Sequence, residues 1–79
     1  MNSLLIANAD VAEFVVAEGA KVTRHPVKDL ALPASTTLGG MVRDGKAQLI
    51  NGMTQLRAGD IVVAFCVENS LKRLEKYFK

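Results

Sequence analysis

The chain has 79 residues, of which 49% are hydrophobic and 23% charged, and its formal net charge is +2. This length predicts one compact domain over residues 1–79, the apolar content excludes a disordered chain, and the small charge gives no support for nucleic-acid binding. The longest apolar run, Ile61–Val67, is far shorter than the ~20 residues of a membrane-spanning helix. Met1–Ile6 lacks the basic start and the length of a signal peptide, and the single cysteine, Cys66, fits a reducing compartment. Together these features predict a soluble cytoplasmic domain.

The first half of the chain predicts two strands separated by a connector. Asp10–Ala17 alternates between apolar and mixed positions, as a strand with one buried face does. Residues 20–33 form the connector, in which Pro26 can begin a short helical turn because its missing N–H is unsatisfied there anyway. Thr36–Arg43 predicts the second strand, and the glycine pair at 39–40 indicates a bulge or a close backbone approach.

A hairpin and further turns follow. Asp44–Gly45 predicts the hairpin turn, because a type I′ turn requires positive φ at both central residues. Lys46–Ile50 is then the return strand. Gly52 and the pair Gly59–Asp60 predict two more turns, and we expect Asp60 to bond local backbone N–H groups. We therefore interpret four turn residues as structural: Gly45, Gly52, Gly59 and Asp60.

The end of the chain predicts a strand and a helix. Ile61–Val67 is continuously apolar, which predicts a fourth strand covered on both faces. A helix is predicted from Asn69 or Ser70 to Tyr77 or Phe78. Its apolar stripe consists of Leu71, Leu74 and Phe78. The order strand, connector, hairpin, strand and helix predicts an α+β fold with a small, mainly antiparallel four-stranded sheet.

Catalytic and metal-binding patterns are absent from the sequence. Cys66 lies within an apolar run, where cysteine behaves as a small hydrophobic residue, and His25 lies in the polar connector. Nothing in the sequence places these two side chains within the hydrogen-bond reach that a nucleophile and base need. The glycines lie at turns and within a strand rather than at a strand-to-helix junction, so they do not form a nucleotide fingerprint. We therefore predict no enzymatic activity, no catalytic residue, no metal site and no cofactor within this chain.

Arg43 is a candidate for anion binding because it ends a predicted strand beside the hairpin turn. From that position its guanidinium can reach a carboxylate of the protein or an anionic ligand. A solvated or salt-bridged structural arginine is the favoured interpretation, and ligand binding stays open as the alternative.

The ordered set of turns resembles the TrkA C-terminal domain family, also called RCK-C. Residues 10–18 (DVAEFVVAE) are similar to its opening strand, and residues 37–45 (TLGGMVRDG) to its strand that ends in arginine before a tight turn. Residues 51–60 (NGMTQLRAGD) are similar to its asparagine–glycine turn, threonine, leucine and glycine–aspartate turn. The resemblance extends over almost the whole chain. Departures occur at Met53, where the family often has a polar or acidic residue, and at Ala17, where proline is common.

This resemblance implies a cytoplasmic regulatory and ligand-sensing domain of a Trk-type potassium uptake system, held at the inner face of the membrane by its transporter partner. It implies that the chain is a fragment of a larger protein whose adjoining Rossmann domain would bind NAD. Its partners would be that domain, a membrane potassium transporter subunit and a small anionic effector such as a cyclic dinucleotide. The alternatives are a purely structural dimerisation module and a regulatory domain of another cation transporter, such as a cation–proton antiporter.

A homodimer is expected on physical grounds as well, because a 79-residue chain buries only a modest share of its surface. We expect Val15, Met41 and Leu49 to lie on the outer sheet face and to contact a second copy. A regulatory anion would then bind in the cleft between the two subunits. The candidate ligand-binding residues are Arg24, His25 and Arg43.

Overall fold

The computed structural model describes residues 9–67 and 70–79. The expectations about Met1–Ile6 and about Asn69 as a helix cap lie outside the described residues. The elements in chain order are β1 (Ala9–Val15), two short 3-10 helices (Lys21–Thr23 and Val27–Asp29), β2 (Thr36–Arg43), β3 (Lys46–Leu49), β4 (Ile61–Val67) and α1 (Leu71–Glu75). This is the small α+β fold that the sequence predicts. Within the described ranges no helix is long and apolar enough to cross a membrane.

All four strands form one antiparallel sheet in the order β1-β4-β2-β3. β4 is therefore central, between β1 and β2, while β1 and β3 form the edges. The pairing of β2 with β4 shifts by one residue between Leu38 and Gly40, so the predicted bulge lies at Gly39. A Cβ atom at this position would lie 2.7 Å from Cε2 of Phe65, so glycine leaves room for the ring where it now lies. The bulge thus lets the Phe65 ring lie against the β2 backbone.

The bulge also corrects one sequence-based expectation. Met41 is 4% exposed and pairs with the core residue Val62, so it does not lie on the outer sheet face as predicted. Simple alternation from the buried Leu38 would place residues 40 and 42 in the core. Because Gly39 is an extra residue in β2, the alternation shifts by one position and Met41 returns to the core face.

The hydrophobic core lies on one side of the sheet, beneath the connector and α1. Its buried apolar residues are Val16, Ala20, Val22, Leu38, Met41, Leu56, Val62, Ala64, Cys66, Leu74 and Phe78. The prediction that both faces of β4 are covered is wrong for the single chain: Phe65 is 38% and Val67 40% exposed. The connector and the helix both pack on the same face, and no other segment of residues 9–67 and 70–79 covers the opposite one.

Several element ends differ from the sequence-based bounds: β1 begins at Ala9 rather than Asp10, and β3 ends at Leu49 rather than Ile50. β1 ends at Val15 rather than Ala17, because the Val16 N–H donates to the Asp60 carbonyl and the Ala17 N–H to the Phe78 carbonyl. α1 ends at Glu75 and continues as a tighter turn with hydrogen bonds three residues apart. Ser70 precedes the helix, but its side chain makes no capping hydrogen bond.

The hairpin turn has positive φ at both central residues, 53° at Asp44 and 78° at Gly45. We expect Gly45→Val to lower the free energy of unfolding by more than about 1 kcal/mol, because a β-branched residue is strained at positive φ. Urea denaturation measures this change. Lys46→Val is the matched control, since Lys46 is exposed at the start of β3, where β-branched residues are tolerated. An unchanged midpoint for Gly45→Val would contradict the assigned turn.

Candidate functional site

A buried ion pair joins the end of β2 to the start of β4. The pairing of Val42 with Ile61 brings Arg43 and Asp60 side by side. The Arg43 Nε atom donates to Asp60 Oδ1 at 2.9 Å, and its Nη2 atom donates to Oδ2 at 2.6 Å. The Arg57 N–H donates to the same Oδ2 at 2.8 Å, so Asp60 also closes the turn that begins at residue 57. The arrangement fixes the hairpin to the turn before β4.

The electrostatics of this pair keep both groups charged. The hydrogen bond from Arg43 holds the pKa of Asp60 below its ordinary value, against the opposing effect of burial, and the Arg57 N–H contributes in the same direction. The bond to Asp60 raises the pKa of Arg43 in turn. Because the guanidinium donates to a protein carboxylate and to a backbone carbonyl, Arg43 has the salt-bridged structural role that the sequence favoured.

Gln55 connects this ion pair to the connector. Its carbonyl oxygen accepts a hydrogen bond from Arg43 Nη2 at 2.9 Å. Its side-chain Nε2 donates to the carbonyl of Thr23 at 2.8 Å and to that of His25 at 3.4 Å. Gln55 therefore links Arg43 to the connector segment that carries the other two sequence-predicted candidates, Arg24 and His25, both of which are exposed. Gln55 was missed, and no local sequence pattern identifies it.

Two glycine turns support this region. The Gly52 carbonyl accepts a hydrogen bond from the Lys28 N–H, and a Cβ at Gly52 would lie 3.2 Å from Cβ of Lys28, so glycine allows the loop to approach the connector closely. Gly59 has a φ of 93°, a conformation that side chains other than glycine rarely adopt, and its N–H donates to the Val16 carbonyl. Both glycines therefore position the loop that carries Gln55.

Neither a reactive thiol nor a metal cluster occurs at this site. Burial raises the pKa of the Cys66 thiol, and the nearby Asp10 carboxylate adds to the rise. Cys66 is 1% exposed within the core, so the protonated thiol packs as an apolar group. In the part of the chain that the structure describes, no three histidine, cysteine, aspartate or glutamate side chains are arranged to hold a metal ion.

The sheet face opposite the core is apolar and open to solvent. We call it the outer face. Its residues, assigned by register, are Val11, Glu13, Val15, Thr37, Gly40, Val42, Ala47, Leu49, Ile61, Val63, Phe65 and Val67. Leu49 is 87%, Val15 66% and Val11 55% exposed, and Glu13 is the one charged residue in this set. A solvated face of an antiparallel sheet ordinarily carries polar residues, and a contiguous exposed apolar patch marks an interaction site.

A shallow groove of about 300 Å³ lies on the outer face between β4 and β3. Gly40 forms its floor, because this position of β2 has no side chain between Val63 and Leu49, its neighbours on the two adjoining strands. Val42 and Ala47 line one end of the groove. The outer face is thus a surface with a depression near its middle.

The family model for the TrkA-C domain matches residues 11–79. This chain belongs to the TrkA-C domain family. The TrkA-C chain is also 30% identical over 79 residues to the Trk system potassium uptake protein TrkA of Azorhizobium caulinodans, a match that includes 100% of this chain and 17% of that protein. It thus spans about one sixth of the length of this relative. A solved structure described as an RCK domain with cda has a TM-score of 0.77 at 16% identity, covering 87% of this chain and 97% of that one, which shows a shared fold.

The segments that carried the family resemblance have a clear structural place in this TrkA-C domain. Residues 37–45 form most of β2 and its hairpin turn. Residues 51–60 form the loop that contacts the connector and closes on Asp60. The recognisable residues are therefore those that hold the hairpin, the loop and the connector together through Arg43 and Gln55.

Proposed function

We propose that this TrkA-C domain is the regulatory, self-associating part of a Trk-type potassium uptake system. The observation that supports self-association is the outer face, where large apolar side chains of β1, β3 and β4 are exposed. Burial of apolar surface contributes roughly 25 cal/mol per Å² before the costs of association are subtracted. A two-fold dimer is the commonest way to bury one such patch against itself.

The potassium-uptake context is supported by the relative from Azorhizobium caulinodans, which bears the name of a Trk potassium uptake protein. Because this chain matches 17% of that protein, the remaining partners belong to the proposal. They are an adjoining Rossmann domain, which would hold NAD, and a membrane potassium transporter subunit at whose cytoplasmic face the domain acts. Effector binding would shift the populations of assembly states and so control transport.

The effector we propose is a small anion of the cyclic-dinucleotide class, bound near the connector. Arg24 and His25 are exposed there and offer hydrogen-bond donors to a phosphate. Arg43 is bonded to Asp60, so its part is to position the connector through Gln55 rather than to bind the anion directly. The solved RCK domain that is described with cda supports a bound effector in a similar fold.

A thermal-shift titration with cyclic di-adenosine monophosphate tests effector binding. At 100 times its dissociation constant the ligand stabilises the folded domain by about 2.7 kcal/mol, which raises the melting temperature of a domain of this size by roughly 10–20 °C. We expect Arg24→Ala to abolish this shift. Lys28→Ala, an exposed cation on the same connector, is the matched control and should retain it. An unchanged melting temperature at millimolar ligand, in a chain that still dimerises, would contradict effector binding. The domain would then be a purely structural dimerisation module.

A further inference from the structure

The positive charges of the chain are concentrated in two segments, the connector (residues 20–33) and the C-terminal residues 70–79. These segments contain seven of the ten lysine and arginine residues but two of the eight acidic residues, so their formal charge is +5 with His25 neutral. The rest of the chain has three cations and six acidic residues, which gives −3. The seven cations, all of them exposed, are Lys21, Arg24, Lys28, Lys72, Arg73, Lys76 and Lys79. Among the residues that the structure describes, the one ion pair within these segments joins Lys79 to Glu75 at 3.8 Å, so most of this charge is uncompensated.

The two segments form one layer on the core side of the sheet, which we call the basic layer. Tyr77, just after α1, holds them together. Its carbonyl accepts a hydrogen bond from the Val22 N–H at 3.1 Å, and its hydroxyl donates to the Ala31 carbonyl at 2.7 Å. The Lys21 ammonium lies 5.4 Å from the centre of the Tyr77 ring. Both ends of the connector are therefore fixed to the C-terminal segment, and the cations belong to one continuous surface.

An exposed apolar side chain lies beside the basic layer at a tight turn. Met53 is 71% exposed, and it stands at a position where this chain departs from the family pattern. The residues on either side of it are bonded to the connector: the Lys28 N–H donates to the Gly52 carbonyl at 2.8 Å and the Val27 N–H to the Thr54 carbonyl at 2.9 Å. The turn therefore holds an unbranched, flexible apolar side chain next to the cation at position 28.

Exposed cations beside a projecting apolar side chain are complementary to the surface of an anionic bilayer. Lysine and arginine are attracted to the negative headgroups, and an apolar side chain at the tip of a turn can enter the boundary between headgroups and acyl chains. A free phosphate or an acidic protein surface would use the cations alone and would leave Met53 without a partner. The combination therefore favours lipid over a soluble anion.

We propose that the basic layer docks on an anionic phospholipid membrane, with Met53 inserted among the headgroups. This goes beyond the proposed regulatory function, because the domain then contacts lipid itself rather than reaching the membrane only through a transporter subunit. The outer face lies on the opposite side of the sheet from the basic layer, so self-association and lipid contact can occur together.

Vesicle co-sedimentation of the 79-residue chain tests the lipid contact. The probes are vesicles of phosphatidylcholine with and without phosphatidylglycerol, at physiological salt. We expect at least tenfold more chain to sediment with the anionic vesicles than with the neutral ones, and added salt should weaken the binding because it screens the headgroup charge.

Two matched pairs of variants locate the contact. Met53→Glu should lower the partition coefficient for anionic vesicles at least tenfold, because it replaces the apolar side chain by a charge that the headgroups repel, whereas Met53→Leu should bind like wild type. Since Met53 is exposed, both variants should keep the wild-type melting temperature. Lys28→Glu should weaken binding several-fold more than Lys46→Glu, which makes the same change in net charge at the hairpin turn.

Three results would overturn the inference while leaving the regulatory function and self-association intact. A folded wild-type chain that does not sediment with anionic vesicles has no lipid contact of its own. Binding that Lys28→Glu weakens and Met53→Glu leaves unchanged would assign the cations to a soluble anion or an acidic protein. Equal losses for Lys28→Glu and Lys46→Glu would mean attraction by net charge alone, without docking through the basic layer.

Discussion

Replacing Arg43 with methionine is expected to lower the free energy of unfolding by about 3 kcal/mol, the low end of the range for removing one partner of a buried ion pair. Asp60 is 2% exposed and would keep its charge without the guanidinium that compensates it. The low end applies because the Arg43 side chain is itself 19% exposed, so water reaches part of the site. Methionine retains most of the aliphatic volume, so the loss reports on the charge pair. Urea denaturation at pH 7 measures it.

The double variant Arg43→Met/Asp60→Asn is the control for this interpretation. It should be more stable than Arg43→Met alone, because asparagine leaves no uncompensated charge in the buried position. An Arg43→Met chain within about 0.5 kcal/mol of wild type would mean that the pair contributes no more than an exposed salt bridge.

The same pair predicts how stability depends on pH. The pKa of Asp60 is lower in the folded chain than its ordinary value of 3.8, so the folded state favours the ionised carboxylate. This contribution is fully present above the ordinary pKa and is lost as pH falls through the folded pKa, which means below about pH 4. Wild type should therefore lose stability more steeply than Arg43→Met/Asp60→Asn on acidification in that range. Parallel curves would contradict the lowered pKa.

Val63→Asp is expected to raise the dissociation constant of the dimer at least 100-fold. The symmetric interface would bury two new carboxylates. A cost of about 1.4 kcal/mol for each carboxylate raises the dissociation constant tenfold, so the two together raise it about 100-fold. Val63 lies on the solvated face of the single chain, so the isolated domain should remain folded with a cooperative melting transition. Lys72→Asp, exposed on α1 away from the outer face, is the control and should leave the dimer intact. A Val63→Asp chain that dimerises like wild type would contradict the assigned interface.

Much of the fold could be predicted because its signals are local. The hairpin turn is specified by Asp44–Gly45, and the bounds of Thr36–Arg43 and Ile61–Val67 agree with the observed strands. Turn residues and alternation act over a few positions, so they can be read from neighbouring residues. The family resemblance was carried by the same turns and is confirmed by the TrkA-C match over residues 11–79.

The failures came from effects that depend on distant parts of the chain. Met41 was misplaced because the bulge at Gly39 shifts the alternation, and the consequence of a bulge depends on which strand pairs with it. β4 reads as covered on both faces because apolar runs look the same whether the second face is buried by the same chain or by a partner. Its open face is the observation from which we infer a second copy.

The candidate ligand residues illustrate the same limit. The position of Arg43 in the sequence indicated that it forms a salt bridge. Its partner Asp60 lies 17 residues away and became evident only in the fold. Gln55 contacts Thr23 across 32 residues, so no local pattern predicts its role. Binding of an anion by Arg24 and His25 stays a prediction, which the thermal-shift titration tests.

Sedimentation velocity of the 79-residue chain at micromolar concentrations tests self-association through the outer face most directly. We predict a species of twice the 8.5 kDa chain mass, which dissociates on dilution. The Val63→Asp variant should sediment as a single chain under the same conditions. An 8.5 kDa species alone up to ~100 μM, beyond the range of a micromolar dimer, would contradict both the dimer and the outer face as its interface.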